Sequence, residues 1–440
     1  MSISTKYALL TAAFFFFANA TQAGEIHTQK ILMTYWSDNT ARYAYDPIPG
    51  SLSPTGVTQK NPKLFNQLDL INVLAYAFLQ VDASGHVYFA HPDTDLSKRD
   101  TASFCKQDLE SCPDADKAFA GNFSAFAKLQ NKSGTLRKVI SIGGAGSQNT
   151  FKNAIAYPEA FVESASAIIA AYHLSGIDLD FEPSALFGPG EGKRYTQLVL
   201  ALRRKLHNQA FISIEVPGDW ETLRSIDCSS GTSCSNNLEQ IASNAYVSLM
   251  GFDFHGPYYP GGVTGNNANL YSSPDEPLLP EFYHLSDNQA IEYLTFLGVP
   301  SNRILLGFPA YFVAYGGVRS AGHSHGLYER FDKSNTPDYD LHQRGYGSYQ
   351  AAQHLLDSGF IPHSICVNDT ISAVFAYNPM TQQWISYDDA KSVAAKADYV
   401  VRRHLAGMIM WEIGEDLPAT NKNSLLVSAQ IALSESQPKR

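Results

Sequence analysis

Three acidic residues in one short alternating segment could do chemistry together. Residues 175–182 have the sequence Ser-Gly-Ile-Asp-Leu-Asp-Phe-Glu, in which Asp178, Asp180 and Glu182 alternate with apolar residues. In a β-strand this spacing places the carboxyl groups on one face, with neighbours about 6–7 Å apart. Crowded carboxylates disfavour one another's ionised form, so at least one is expected to keep a proton, as a general acid must. The segment predicts a catalytic strand, although a strand with one solvated face would alternate in the same way.

The position of these acids depends on the strands and helices around them. Pro183 follows Glu182 directly, so the last acid is expected at the C-terminal end of its strand. Short apolar segments recur between amphipathic helical patterns, which is typical of βα units around a parallel sheet. Eight strands are predicted, at residues 30–36, 70–79, 138–142, 176–181, 211–216, 245–252, 303–308 and 407–411. The class is therefore α/β and the predicted architecture is a TIM (β/α)8 barrel, which places its active site at the C-terminal strand ends.

One connection is too long for a single helix. About a hundred residues separate the seventh and eighth predicted strands, and this stretch is rich in Tyr, Phe and Leu. We predict a small α+β insertion domain between strands 7 and 8, at residues 312–375. The barrel then comprises residues 24–311 and 376–435, and a helix at 388–405 leads back into it.

The N-terminal residues have the composition of a secretory signal peptide. Lys6 precedes a mostly apolar run that includes four consecutive Phe, and residues 21–23 are Thr-Gln-Ala. We assign residues 1–23 to a signal peptide, because the apolar run is shorter than the roughly 20 residues of a membrane span. Cleavage is expected after Ala23, with Ala20 as the alternative. The expected location is secreted or periplasmic, with no membrane contact after removal of the signal.

Charge and composition exclude some partners. The 440 residues are 17% charged, with a net charge of −10 and no basic run, so nucleic acid and anionic membranes are poor partners. We expect a monomer that uses no cofactor or metal. His323 and His325 are predicted to lie in a solvated loop.

Five cysteines allow two short disulfides. In an oxidising compartment the natural pairs are Cys105 with Cys112 and Cys228 with Cys234. Cys366 has no obvious partner and is expected to be a small buried apolar residue on a strand.

Several motifs along the chain resemble those of glycoside hydrolase family 18, the chitinase family. The sequence from Gly176 to Glu182 is similar to the fourth-strand pattern D-G-x-D-x-D-x-E, with Ser175 in place of the first Asp. Other similarities occur in the family's order and cover nearly the whole mature chain. They are Ala75-Tyr76-Ala77-Phe78 on strand two, Ser141-Ile142-Gly143-Gly144 on strand three, Met250-Gly251-Phe252-Asp253 on strand six, Gly307 to Tyr311 on strand seven and Met410-Trp411-Glu412 on strand eight. The predicted insertion also resembles one that many family members carry.

The resemblance implies roles for the acids. Glu182 would protonate the glycosidic oxygen and later activate water, while the substrate's own acetamido oxygen attacks the anomeric carbon. Asp180 would accept a hydrogen bond from the acetamido N–H and stabilise the positive intermediate, and Asp178 would tune Asp180. Asp253 would contact the acetamido group, and Trp411 would form an apolar floor under the cleaved sugar.

The remaining candidates are residues that line the cleft or pack the barrel. Tyr76, Phe78 and Tyr311 could do either. Met250 and Phe252 belong to the strand-six motif, and Ser141 is expected to hydrogen-bond toward the acids. These complete the set of candidate binding residues.

The most consequential departure from the family pattern is Phe252, which stands where the family has a Tyr. That hydroxyl helps to hold the acetamido oxygen, and losing such a donor can cost on the order of 2.7–4 kcal/mol of transition-state stabilisation. Tyr258, Tyr259 and Tyr311 are candidates to replace it.

The resemblance implies a secreted chitinase that cleaves β-1,4 bonds between N-acetylglucosamine residues with retention of configuration. Its substrate would be chitin or chitooligosaccharides. Two alternatives stay open at this stage. One is an endo-β-N-acetylglucosaminidase on glycoprotein glycans, and the other is a chitinase-like lectin without turnover.

Overall fold

A computed structural model describes most of the chain. The described residues are 30–37, 67–96, 121–182, 186–228, 234–258, 262–277, 285–320, 322–341 and 343–435. The predicted signal peptide at 1–23, the Cys105–Cys112 pair and Tyr259 lie outside them.

Eight parallel strands form a closed barrel, as predicted. In chain order they are β1 (Ile31–Ser37), β2 (Val73–Val81), β4 (Arg137–Gly144), β5 (Gly176–Phe181), β6 (Phe211–Pro217), β7 (Tyr246–Met250), β8 (Ile304–Pro309) and β14 (Gly407–Trp411). Each pairs with its neighbours in parallel, and the pairing of β1 with both β14 and β2 closes the cylinder. A short strand, β3 (Val87–Phe89), extends β2 as an antiparallel hairpin.

Helices cover the outside of the barrel. They are α1 (Pro92–Asp95), α2 (Gly121–Lys128), α3 (Gln148–Ala156), α4 (Pro158–Ala171), α5 (Glu191–Leu206), α6 (Trp220–Asp227), α7 (Asn237–Ala242), α8 (Asp287–Phe296), α9 (Tyr349–Asp357), α10 (Ala390–Arg402) and α11 (Leu425–Glu435). Helices α4, α5 and α8 lie between barrel strands, where the sequence has amphipathic helical patterns at residues 160–173, 192–207 and 287–297. The predicted helix at 388–405 corresponds to α10.

Strand alternation divides the apolar residues into two layers. Even-numbered residues of β1, such as Leu32 and Trp36, pack outward against helices in the largest core cluster. Odd-numbered residues, such as Met33 and Tyr35, point into the barrel and join a smaller inner cluster. On β5 the apolar Ile177 packs outward. This alternation leaves the inward positions of β5 to the acids.

The insertion between β8 and β14 contains a five-stranded antiparallel sheet. Its strands are β9 (Tyr311–Tyr315), β10 (Tyr346–Ser348), β11 (Ile361–Val367), β12 (Thr370–Asn378) and β13 (Gln383–Tyr387), in the order β10-β9-β13-β12-β11. The predicted boundary at residue 375 falls inside β12, and β13 also pairs with β9. The sheet therefore runs to Tyr387, because Trp384 is buried in the insertion's own core with Tyr315 and Phe375.

The structure corrects the expectation for Cys366. This residue has a free thiol and is exposed. It lies on β11, an edge strand whose residues are all exposed or only partly buried, so the strand offers the thiol no apolar core. Of the two predicted disulfides, only Cys228–Cys234 lies within the described residues, and it is formed.

His323 and His325 lie in an exposed turn, as predicted. The ring of His325 also stacks on His363 of β11, with centroids 4.0 Å apart. Within the described ranges no single helix is long and apolar enough to cross a membrane. By length and composition only, one bent pair, α3 with α4, passes that test.

Candidate active site

A cavity of about 220 Å³ opens at the C-terminal ends of the barrel strands. Barrel strands supply its floor, and the start of the insertion supplies one wall. Its lining residues are Tyr35, Phe78, Ala145, Asp180, Glu182, Glu215, Met250, Phe252, Asp253, Tyr311, Leu341, Gln343, Tyr346, Ile409, Trp411 and Glu415.

Asp178 is the innermost acid of the β5 row and is fully buried. Its Oδ2 accepts hydrogen bonds from Ser141 Oγ at 2.6 Å and from Tyr35 Oη at 3.2 Å, and its Oδ1 accepts one from Ser213 Oγ at 2.6 Å. Ser141 and Ser213 are its register partners on β4 and β6. Burial raises the pKa of Asp178, while the hydroxyl donors oppose that rise. Asp178 is therefore the interior acid best equipped to carry a charge.

Asp180 and Glu182 lie above Asp178 and face the cavity. Burial raises the pKa of Asp180 well above its usual range, and the charges of Glu182 and Asp178 raise it further. Burial, followed by the charge of Asp253, raises the pKa of Glu182 to about 7. The Oδ1 atom of Asp180 has no hydrogen-bond partner among the described residues. The row thus offers an unsatisfied acceptor next to a carboxyl group that can hold a proton at neutral pH.

Glycines of β4 make room for this row. A Cβ atom on Gly143, whose φ is +132°, would lie 1.8 Å from the backbone oxygen of Asp180. One on Gly144 would lie 2.6 Å from the Phe78 ring. Just beyond, Ser147 Oγ accepts a hydrogen bond of 3.0 Å from the backbone N–H of Glu182 and fixes the end of β5. The glycine-rich segment therefore serves close packing around the acids.

An aromatic floor lies beside the acids. The indole of Trp411 stacks nearly parallel to Phe78, with centroids 5.4 Å apart and planes 11° apart. Tyr35 tilts against the same indole at 5.2 Å. Trp411 is only partly buried, so it presents apolar surface to the cavity. A flat, partly exposed indole of this kind suits a pyranose ring.

Asp253 lies at the mouth of the cavity, between two tyrosines. Although its side chain reaches solvent, the surrounding protein raises its pKa to about 6, and hydrogen bonds from Tyr311 and Tyr346 oppose the rise. Tyr346 Oη lies 3.5 Å from Asp253 Oδ1. Phe252 packs edge-on against Tyr311. Of the tyrosines proposed to replace the hydroxyl absent at Phe252, Tyr311 lines the cavity. Tyr258 stacks on Tyr346, is exposed and is not one of the lining residues.

Two predicted binding residues do not line this cavity. Tyr76 points outward from β2, donates a hydrogen bond to Asp95 and packs against Phe123 and Phe126, because strand alternation gives the inward positions to Ala75 and Ala77. Phe78 reaches the cavity because the β2–β4 register shifts between Tyr76 and Leu79. Ser141 is fully buried, and its contact is with Asp178, below the cavity floor.

Several cavity residues were not predicted from the sequence, among them Tyr35, Tyr346 and Glu215. Tyr35 is the inward-facing residue near the end of β1, and Tyr346 comes from the insertion. Glu215 lies on β6, where Ser213 and Glu215 alternate with Ile212 and Ile214, and this pattern could have identified it. Its carboxyl accepts a hydrogen bond of 2.8 Å from Tyr35.

No group of three or more His, Cys, Asp or Glu side chains in the described part of the chain is placed to hold a metal ion. The chemistry that these residues can supply is proton transfer and electrostatic stabilisation by carboxyl groups.

Comparison with known proteins gives a family for this arrangement. The model of the glycosyl hydrolases family 18 matches residues 34–416, which include all of the cavity residues. Chitinase A1 of Niallia circulans is 27% identical over 333 residues, a match that covers 70% of this chain and 45% of that protein. Chitinase 1 of Aphanocladium album is 23% identical and covers 78% of this chain and 75% of its own length. The oviduct-specific glycoprotein of Mesocricetus auratus is 24% identical over 317 residues, 67% of this chain and 42% of that protein.

Solved structures share the fold. Chitinase ChiA74 from Bacillus thuringiensis superimposes with a TM-score of 0.73 at 21% identity, over 94% of this chain and 71% of that one. The Ostrinia furnacalis Group IV chitinase in complex with allosamidin gives 0.71 at 20% identity, over 93% of this chain and 100% of that one. The chain spans less than half of chitinase A1 and a quarter of the chitinase ChiA of Flavobacterium johnsoniae.

Proposed function

The chain belongs to glycosyl hydrolases family 18, and from this premise we propose that it is a chitinase. In this proposal it hydrolyses the β-1,4 bonds between N-acetylglucosamine residues of chitin or chitooligosaccharides. The observation that carries the proposal is the buried Asp180–Glu182 pair, which faces a cavity floored by Trp411. The names of the relatives from Niallia circulans and Aphanocladium album, both chitinases, support it.

The reaction uses the substrate as its own nucleophile. Glu182, whose pKa is about 7, donates a proton to the glycosidic oxygen as the bond to the anomeric carbon breaks. The acetamido oxygen of the same sugar forms a bond to that carbon, which gives a cyclic oxazolinium ion and releases the aglycone. Glu182 then takes a proton from water, and the water oxygen attacks the anomeric carbon from the face that the aglycone left. The bond from that carbon to the acetamido oxygen breaks at the same time, which restores the acetamido group. The two inversions retain the β configuration.

The neighbouring residues stabilise the charge that develops. Asp180 accepts the acetamido N–H with its unsatisfied oxygen and offsets the positive charge of the oxazolinium ion. Asp253, with Tyr311 and Tyr346 donating to it, holds the acetamido group on the other side. Trp411 supports the sugar from below.

Hydrolysis of a fluorogenic chitotriose by the protein and by Glu182→Gln tests the proposal. We expect cleavage by the protein and a loss of kcat of about 10²-fold or more in the variant, since general acid catalysis typically supplies about 10²–10⁴-fold. Glu163→Gln, on the exposed surface of α4, is the matched control and should keep full activity. NMR of the first product should show the β anomer, and an initial α anomer would contradict the retaining mechanism.

The same assay separates the alternatives. Release of glycans from a high-mannose glycoprotein, without cleavage of chitotriose, would favour an endo-β-N-acetylglucosaminidase. Binding of chitooligosaccharides without any turnover would favour a lectin. Phe252 in place of the family's Tyr and the similarity to oviduct-specific glycoproteins give this second candidate its support.

We also propose that the protein is exported after removal of residues 1–23. The Cys228–Cys234 disulfide supports passage through an oxidising compartment. N-terminal sequencing of the exported protein should begin at Gly24, or at Thr21 if cleavage follows Ala20, and a retained Met1 would contradict this proposal.

A further inference from the structure

A fourth carboxyl group, that of Glu215, lies in the barrel beside the acids of β5. It is only 4% exposed. Its Oε1 accepts the Tyr35 hydroxyl at 2.8 Å, and its Oε2 has no hydrogen-bond partner among the described residues. The mechanism described above leaves Glu215 unused.

The hydrogen-bond donors around the two innermost carboxyls are unequal. Asp178 receives two serine hydroxyls at 2.6 Å, one on each oxygen. Glu215 receives no serine hydroxyl at a comparable distance: Ser248 contributes only weakly, and the Tyr35 hydroxyl, 2.8 Å from Glu215 and 3.2 Å from Asp178, is shared between the two acids. Hydrogen bonds to a carboxylate favour its charged form. A shared charge would therefore settle on Asp178 and leave the proton on Glu215.

The charges facing Glu215 favour the same assignment. Burial raises its pKa well above the usual range, and the charges of Asp178 and Asp180 raise it further. Five titratable or hydroxyl groups interact with the Glu215 carboxyl. They are the carboxyls of Asp178 and Asp180 on β5, the phenols of Tyr35 on β1 and Tyr195 on α5, and the hydroxyl of Ser248 on β7. Each of these is an acid or a neutral hydroxyl. The reaction requires Asp180 to ionise. A negative charge on Glu215, in addition to the one on Asp178, would oppose that ionisation.

We propose that Glu215 is a positioning residue that stays protonated beside an ionised Asp178, with Tyr35 bridging the two carboxyls. Glu215 holds the Tyr35 ring in place beneath Trp411. Because Glu215 stays neutral, the two carboxyls below Asp180 together carry a single negative charge. Asp180 can then give up its proton when the acetamido group arrives. This inference rests on the proposed function for its catalytic consequence, although not for its protonation state.

Infrared difference spectroscopy of the protein against Glu215→Gln at pH 7 tests the protonation directly. The difference spectrum should contain the C=O band of one buried carboxylic acid. The matched control, Glu163→Gln, should remove carboxylate bands only, because that side chain is exposed and paired with Lys205. This readout needs no turnover, so it decides the inference even if the protein cleaves no chitooligosaccharide.

A substitution series with chitotriose tests the positioning role. Glu215→Gln preserves a neutral acceptor for Tyr35 and should keep kcat within about threefold. Glu215→Ala removes the acceptor and should lower kcat by about tenfold or more, with KM changed by less than threefold, because the residue acts through Tyr35 and Asp178. A difference spectrum without the acid band, or a kcat as low in the Gln variant as in the Ala variant, would overturn the inference.

Discussion

At the scale of single residues, the hydroxyls beside Asp253 come from outside the sixth barrel strand. Phe252 supplies none, whereas Tyr311 and Tyr346 from the insertion both donate toward Asp253. Hydrogen bonds to charged groups contribute about 1.5–3 kcal/mol, which corresponds to roughly 10–100-fold in rate. Tyr311→Phe is therefore expected to lower kcat/KM for chitotriose by about 10–100-fold. Tyr346→Phe should cost less than about tenfold, because its contact is long at 3.5 Å.

The pH dependence gives an independent check of these tyrosines. Both donors favour the ionised form of Asp253, so losing one raises its pKa further above about 6. The acid limb of the kcat/KM profile should then move to higher pH in Tyr311→Phe. The alkaline limb, set by Glu182 near 7, should move to lower pH, because a more protonated Asp253 raises the pKa of Glu182 less. An unchanged kcat/KM and acid limb in this variant would show that Tyr311 does not support Asp253 during the reaction.

The acids could be located from the sequence because alternation is a local property of one strand. Asp178, Asp180 and Glu182 needed only the period of β5 to be placed on the inward side. Tyr76 was harder to place, because its motif includes a register shift after which Phe78 faces the cavity. Tyr346 could not be placed at all, since only the folding of the insertion onto the barrel brings it to Asp253.

At the scale of elements, a buried ion pair connects α8 to α10. Lys396 of α10 lies 2.7 Å from Asp388 and 3.6 Å from Asp287 at the start of α8. All three side chains are buried. Burial opposes the charge on Lys396, but the two acids outweigh it and raise its pKa. The ion pairs thus connect α10, which follows the insertion, to α8, the helix before β8.

Removing the cation should destabilise the protein strongly. Lys396→Met leaves Asp388 and Asp287 buried without a counter-charge, and breaking such a pair typically costs about 3–5 kcal/mol. Urea unfolding at pH 7 should show this loss. Lys391→Met, on the exposed first turn of α10, is the control and should change the unfolding free energy by less than about 0.5 kcal/mol. A loss below about 1 kcal/mol in Lys396→Met would mean that the acids become neutral at little cost.

Secondary structure was predictable from the sequence in the barrel, where strands alternate with helices. It was less predictable inside the insertion. All eight barrel strands follow the apolar segments identified from the sequence. The end of the insertion was placed too early, because β12 and β13 have strand patterns that fit either sheet. The pairing of β13 with β9 and the burial of Trp384 against Tyr315 assign them to the insertion.

At the scale of the whole molecule, the active-site acids are expected to reduce stability at neutral pH. The net charge is already −10, and several carboxyls are buried at one end of the barrel. The pKa of Asp180 lies well above 3.8 in the folded protein, whereas an unfolded chain has an ordinary Asp value near 3.9. Between these values the folded state binds more protons than the unfolded state. The free energy of unfolding therefore falls as pH rises through this window.

Asp180→Asn removes this penalty while it keeps the shape of the side chain. The variant should be more stable than the protein at pH 7, because the raised pKa of Asp180 makes its ionisation in the folded state unfavourable. Below about pH 4 both forms are neutral, so the difference should shrink toward zero. Urea unfolding at pH 3.5 and pH 7 measures this, with Glu163→Gln as a surface control that should show no such gain. A variant that is less stable than the protein at pH 7 would mean that Asp180 supports the fold. A variant that gains stability but loses activity would mean that Asp180 lowers the stability of the folded protein and is needed for catalysis.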